Sequence, residues 1–110
     1  MRPVLAALLL MLLAPASARA SCATMYALAQ EHASDMARRS SMDHSGFAYR
    51  ARRGARAENV AAGVKTRQQA IALWWGSSGH PANMRLPGCK PVASAVGRDG
   101  TRYWAMVIGN

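Results

Sequence analysis

Tyr103-Trp104-Ala105-Met106-Val107-Ile108, close to the C-terminus, is the most strand-like run in the chain. Aromatic and β-branched side chains favour an extended backbone. A strand with one wet face alternates apolar and polar residues; this run is apolar at nearly every position, which predicts a strand covered on both faces. Upstream of it, Val92-Ala93-Ser94-Ala95-Val96 alternates weakly. Asp99-Gly100 lies between them and is a strong two-residue turn signal, because both positions accept positive φ. The two runs therefore read as a C-terminal β-hairpin. Cover for it must come from helices in the earlier half, so the predicted class is α+β, with helices stacked on a small antiparallel sheet.

Two helices are legible. Over residues 22–39, Met25, Leu28, Ala29, His32 and Met36 form one stripe at helical spacing, with Gln30, Glu31, Ser34 and Arg38 mainly off it. His32 lies on the apolar stripe and reads as a buried, hydrogen-bonded core histidine. From Thr66 to Trp75 a second helix opens with the capping box Thr66-x-x-Gln69. Ala70, Ile71, Trp74 and Trp75 are its candidate buried face, and Gly76-Ser77-Ser78-Gly79 stops it. A brief turn of helix over 80–84 follows, with Ser78 or Gly79 as cap and Pro81 in its first turn. Residues 40–56 read as irregular and basic, and 57–62 as a short apolar segment that suits helix or strand equally.

The chain has 110 residues, 51% of them hydrophobic and 17% charged, which excludes a disordered chain and allows one small domain. Lys and Arg number 14 against 5 Asp and Glu, for a net charge of +9. Met1-Arg2-Pro3 is a short basic start, Val4 to Ala14 an unbroken apolar run, and Ala18-Arg19-Ala20 a small-x-small cleavage pattern. This is the layout of a secretory signal peptide over residues 1–20, with a run too short to span a bilayer. The mature domain would be 21–110, 90 residues at charge +7 once Arg2 and Arg19 are removed. A domain of that size is marginal without a staple. Cys22 and Cys89, the only cysteines, would meet an oxidising compartment and can supply one. The competing reading is a lipoprotein acylated at Cys22, against which stands Arg19, where such signals usually carry an aliphatic residue.

Three groups outside the helical stripes can bind metal or move protons: His44, Glu58 and His80. No local motif unites them, and no HExxH, CxxC or P-loop pattern is present. Each sits in a tight structural signal, and loop residues making caps and turn hydrogen bonds would look the same. Two imidazoles near one carboxylate can hold a divalent ion such as zinc. The same trio can equally be a hydrogen-bond network that ties loops together. Arg50, Arg52, Arg53 and Arg56 read most simply as a solvated basic loop.

These segments, in this order, resemble the bacterial branch of the CAP superfamily, the cysteine-rich secretory, antigen-five and pathogenesis-related proteins, also called SCP domains. Leu28-Ala29-Gln30-Glu31-His32-Ala33-Ser34-Asp35-Met36-Ala37 resembles the family's LA..A..HA..MA helix, and Asp43-His44-Ser45 its first-histidine motif. Ala57-Glu58-Asn59-Val60-Ala61 resembles GEN[IL]A, with Ala57 where Gly is usual. The segment Ala72-Leu73-Trp74-Trp75-Gly76-Ser77-Ser78-Gly79-His80-Pro81-Ala82-Asn83-Met84 resembles W..SPGH..N[IL], with Ser78 replacing Pro. The resemblance implies a three-layer α-β-α sandwich with a cleft lined by two histidines and acidic residues. Carried over by motif, the cleft holds His44, Glu58 and His80, and Ser77 stands where a second glutamate would fall. His44 and His80 are the implied metal ligands. The usual leading helix of the family is missing, which makes this a minimal version.

The expected protein is a secreted or periplasmic, monomeric binding module, leaning away from an enzyme. Its cleft would take a lipid, an anionic envelope component or a protein, with zinc allowed and no cofactor required. Alternatives are a metal-dependent hydrolase, with Glu58 as general base and His44 and His80 holding the ion, and a basic structural protein of the envelope. Integral membrane insertion and nucleic-acid binding are not expected, the latter because export argues against it and no binding motif is present.

Overall fold

A computed structural model describes residues 16–110; Met1 to Pro15, the larger part of the expected signal peptide, lie outside the described residues. The elements run α1 (Ala16–Arg39), α2 (Phe47–Arg52), β1 (Ala55–Ala62), α3 (Arg67–Trp75), α4 (His80–Met84), β2 (Val92–Val96) and β3 (Arg102–Gly109). The three strands form one antiparallel sheet in the order β1-β3-β2, so the apolar run of β3 is the central strand. Residues 57–62, ambiguous in sequence, are strand because β3 offers them a full ladder from Ala57↔Ile108 to Ala62↔Tyr103.

Both faces of β3 are covered, as its composition requires. On one face α1 packs Met25, Leu28, Ala29, Ala33 and Met36 against Val60, Ala93, Tyr103, Ala105 and Val107. On the other face Ala70, Trp74 and Met84 of α3 and α4 pack against Ala57, Ala61, Trp104, Met106 and Ile108. This is the helix-sheet-helix layering. The buried tryptophans satisfy their indole N–H groups: Trp74 donates to the Val60 carbonyl at 3.0 Å and Trp104 to that of Val64 at 2.8 Å.

The local signals act as their chemistry dictates. The Thr66 hydroxyl accepts the Gln69 N–H at 3.1 Å, and the Gln69 side chain accepts the Thr66 N–H, closing the capping box. Gly79, at φ +84°, takes the left-handed turn that starts α4. The hairpin turn is held by Thr101 N–H to Asp99 Oδ1 at 3.0 Å.

Cys22, in α1, is bonded to Cys89, just before β2, with Cα atoms 5.4 Å apart. The sulfur of Cys22 is thereby committed within the chain. Among the described residues no helix is long and apolar enough to cross a membrane.

Three expectations need correction. The first helix starts at Ala16 rather than at 22, and so runs through the expected cleavage point. Residues 47–52, expected to be irregular, form α2. Trp75 is not core: it is 48% exposed and lies under the Arg85 guanidinium, 5.5 Å from the ring centroid.

Candidate functional site

β1 is an edge strand, and its two central polar residues point to opposite faces of the sheet. Glu58 lies opposite Val107, on the face that α1 covers; Asn59 lies opposite Met106, on the face of α3 and α4. The sequence places a carboxylate and an amide side by side, and the strand pleat sends them into different layers.

The Glu58 side chain is only 1% exposed. Burying a carboxylate without partners is prohibitive, and the chain supplies them. Arg50 donates from Nε to Oε1 at 2.6 Å and from Nη2 to Oε2 at 3.1 Å, a two-pronged grip. His44 places Nδ1 2.7 Å from Oε2. His32 brings Nε2 to 3.5 Å from the same oxygen. Arg50 is itself buried, and its remaining N–H groups donate to the carbonyls of Ser45 at 2.9 Å and His44 at 3.4 Å. One guanidinium thus holds both the carboxylate and the loop that carries His44.

Asp43 shapes that loop. Its carboxylate accepts the Ser45 N–H at 3.1 Å and the Ser41 hydroxyl at 2.9 Å. Arg39, in the last turn of α1, donates to both its oxygens at 2.8 and 2.9 Å. The Arg39 guanidinium holds the Asp43 carboxyl well below the usual carboxylate range. From the buried side, the Asp43 carbonyl accepts the His32 Nε2–H at 2.7 Å. Nε2 must carry the proton there, because a carbonyl only accepts. Burial pushes the His32 pKa down, with the Glu58 charge opposing, so His32 serves as a neutral donor.

On the opposite face, Asn83 of α4 donates from Nδ2 to Asn59 Oδ1 at 2.9 Å and to the Glu58 carbonyl at 3.5 Å. Asn59 in turn donates to the His80 carbonyl at 3.3 Å. His80 therefore stands on the Asn59 side of β1. Its Nδ1 is buried and has no hydrogen-bond partner among the described residues. Ser77 donates its hydroxyl to the Leu73 carbonyl and closes the end of α3.

A cleft of about 290 Å³ opens over this edge, lined by His44, Phe47, Arg56, Ala57, Glu58 and Asn83. Of the four cleft residues expected from sequence, His44 and Glu58 are in direct contact and line it. Ser77 and His80 do not line it. The residues that sequence reasoning missed are Arg50 and His32. His32 read correctly as a buried, hydrogen-bonded core residue, but nothing local ties it to Glu58. Arg50 is hidden among solvated arginines; the available signal was that a buried glutamate must have a cationic partner.

The residues present do not fit the zinc that the family resemblance implies. His44 and His80 are only two ligands, so a zinc site in this trio would need Glu58 as a third, with a lone pair free of other cations. Both oxygens of Glu58 are held by a guanidinium whose charge would repel the ion. Among the described residues no group of three or more His, Cys, Asp or Glu side chains is arranged to hold a metal ion.

Comparison with curated proteins and with solved structures gave no match. The model of the cysteine-rich secretory protein family, CAP, matches residues 19–108, from within the first turn of α1 to the penultimate residue of β3. The chain belongs to the CAP family of cysteine-rich secretory proteins.

Proposed function

We propose that this CAP domain is exported, with residues 1–20 removed as a signal peptide, and that it acts by binding at the cleft on the edge of β1 rather than by turnover. The observation that carries this reading is the state of Glu58. A general base needs a free lone pair within reach of the substrate's proton. Glu58 is almost fully buried, and both its oxygens are taken by Arg50 and His44. It acts as a tie between α1, α2 and β1, and that tie pre-organises the cleft walls. The Cys22–Cys89 bond supports an oxidising destination, secreted or periplasmic, and weighs against acylation of Cys22. The ligand belongs to the lipids, envelope components or proteins met after export.

A second reading has one observation in its favour. The 2.7 Å contact from Glu58 to His44 Nδ1 orients an imidazole that is 54% exposed, as a carboxylate orients a general base. It needs a nucleophile, and the Ser77 hydroxyl is turned to its own helix. The direct test pairs calorimetric zinc titration with a screen of ester and peptide hydrolysis on the disulfide-bonded protein. Binding without catalysis predicts no stoichiometric zinc and no turnover. One zinc per chain lost in both His44→Ala and His80→Ala, or hydrolysis lost in Glu58→Gln, would replace this reading with the hydrolase.

A further inference from the structure

We propose that the cleft at the edge of β1 takes a compact oxyanion, a phosphate or a carboxylate, with Arg56 and the outward Nε2 of His44 as its recognition groups. This rests on the reading of the cleft as a binding site and names the chemistry it selects.

The charge balance points this way. Glu58 is the only acidic residue lining the cleft, and Arg50 beneath it neutralises its charge. Arg50 has no remaining role toward a ligand, because its other donors are used on the Ser45 and His44 carbonyls. The cleft keeps a second cation. Arg56 is exposed and makes no hydrogen bond or ion pair among the described residues. A guanidinium with free donors beside a neutralised carboxylate is a site for an anion, not for a metal.

The backbone gives a reason for that arginine to face the cleft. The β1–β3 register passes from Ala55↔Gly109 to Ala57↔Ile108, so Arg56 is the extra residue of a β-bulge and has no cross-strand partner. Bulges at sheet edges re-aim a side chain that the pleat would otherwise send elsewhere. Facing it is His44. With Nδ1 held at the Glu58 carboxylate, Nε2 is the free ring nitrogen of a half-exposed imidazole. It accepts an O–H from a singly protonated phosphate or, when protonated, donates to an oxyanion. Phe47 and Ala57 supply apolar walls that lower the local dielectric and strengthen such contacts. At about 290 Å³ the cleft has room for a headgroup or a sugar acid rather than for a lipid tail.

The experiment is a backbone amide NMR titration of the disulfide-bonded protein with inorganic phosphate at constant ionic strength. Saturable, single-site shifts are expected at residues 44–47, 56–58 and 83. Arg56→Gln should weaken binding by about tenfold or more, as loss of a charge-assisted contact does, with the melting temperature kept because the side chain is exposed. Arg53→Gln should leave it unchanged, since Arg53 is used on the Tyr49 hydroxyl and ring. Phosphatidylcholine vesicles with and without phosphatidylglycerol separate the two sources. The same amides moving only with the anionic lipid assign the oxyanion to a lipid headgroup; movement with phosphate alone assigns it to a soluble ligand. Unsaturable shifts spread over the basic surface and equally reduced by Arg53→Gln would overturn the inference. Cleft shifts with neutral phosphatidylcholine and none with phosphate would overturn it while leaving the binding reading intact. Zinc shifting His44 at one ion per chain would overturn both.

Discussion

Replacing Arg50 by Met separates a structural ion pair from a surface one. Both partners are buried, Arg50 at 5% and Glu58 at 5% residue exposure. The substitution preserves much of the stem volume and removes the charge, leaving Glu58 with His44 and His32 alone. Breaking a buried pair from one side costs about 3–5 kcal/mol, because the remaining charge is stranded. The loss of donors to the Ser45 and His44 carbonyls adds to this. A domain of this size holds roughly 0.05–0.15 kcal/mol per residue in total, so the variant sits near the edge of folding. At about 4–8 °C per kcal/mol, a loss of about 3–5 kcal/mol should lower its melting temperature by about 12–40 °C. Urea and thermal denaturation of the disulfide-bonded protein, followed by circular dichroism, measure both. The diagnostic partner is the double substitution Arg50→Met with Glu58→Leu. It removes both charges and should recover most of the lost stability, because a buried pair replaced by apolar groups is often neutral or better. A single-variant loss below about 1 kcal/mol, the range of exposed pairs, would refute the tie assigned to Glu58.

Three further outcomes follow from named contacts. Replacing Cys22 and Cys89 together by Ser opens a 67-residue separation, and the chain-entropy relation puts the loss at about 4 kcal/mol; denaturation midpoints that do not move would show that the bond carries no stability. Asn83→Ala should cost about 1–3 kcal/mol, because it strands the fully buried Asn59 Oδ1; an unchanged urea midpoint would count against Asn83 as the fastening of α4. His32 is held neutral by burial, so below about pH 6.5 the unfolded chain takes up a proton that the folded one refuses. Stability should therefore fall as pH drops through that window, by at most about 1.4 kcal/mol per pH unit for this group. His32→Gln keeps a donor for the Asp43 carbonyl and should flatten the fall; parallel wild-type and variant profiles would dismiss His32 as its source.

What the sequence disclosed was what local chemistry determines. Thr66 and Gln69 mark the start of α3 because the capping box is closed within four residues. Asp99-Gly100 marks the hairpin, but the turn is longer than two residues: the Gly100 N–H closes it on the Gly97 carbonyl, and of the pair only Gly100 takes positive φ. The apolar run of β3 disclosed its double cover, since no strand keeps that composition at a wet face. Elements stabilised from a distance were not disclosed. Helix α2 has six residues and begins at Gly46, with no side-chain cap; its stability comes from Arg50 reaching Glu58, eight residues away and in another element. β1, rich in alanine, has no strong preference of its own and is strand because β3 lies beside it. The candidate site divides the same way. His44 and Glu58 were recognisable from their motifs, but which groups share the Glu58 carboxylate depends on the packing of α1 and α2. The pleat of β1 decides that His80 joins Asn59 rather than Glu58.

That pleat also explains why a chain this small keeps so polar a segment in its interior. Much of β1 is alanine, and alanine buries little area, so the edge strand gains less than usual from apolar packing. Glu58 and Asn59 compensate by hydrogen bonding, one to each helical layer: Glu58 to α2, the His44 loop and His32 of α1, and Asn59 to α4 and the His80 carbonyl. Such contacts are directional, so they fix the positions of α2 and α4 relative to the strand edge as well as holding them. The gap left between those two fixed elements is the cleft. Its walls, His44 and Phe47 on one side and Asn83 on the other, are set by the same two residues that join the layers. Cleft shape and fold stability are thus coupled through β1, and a change that loosens Glu58 or Asn59 must act on ligand binding and on unfolding together.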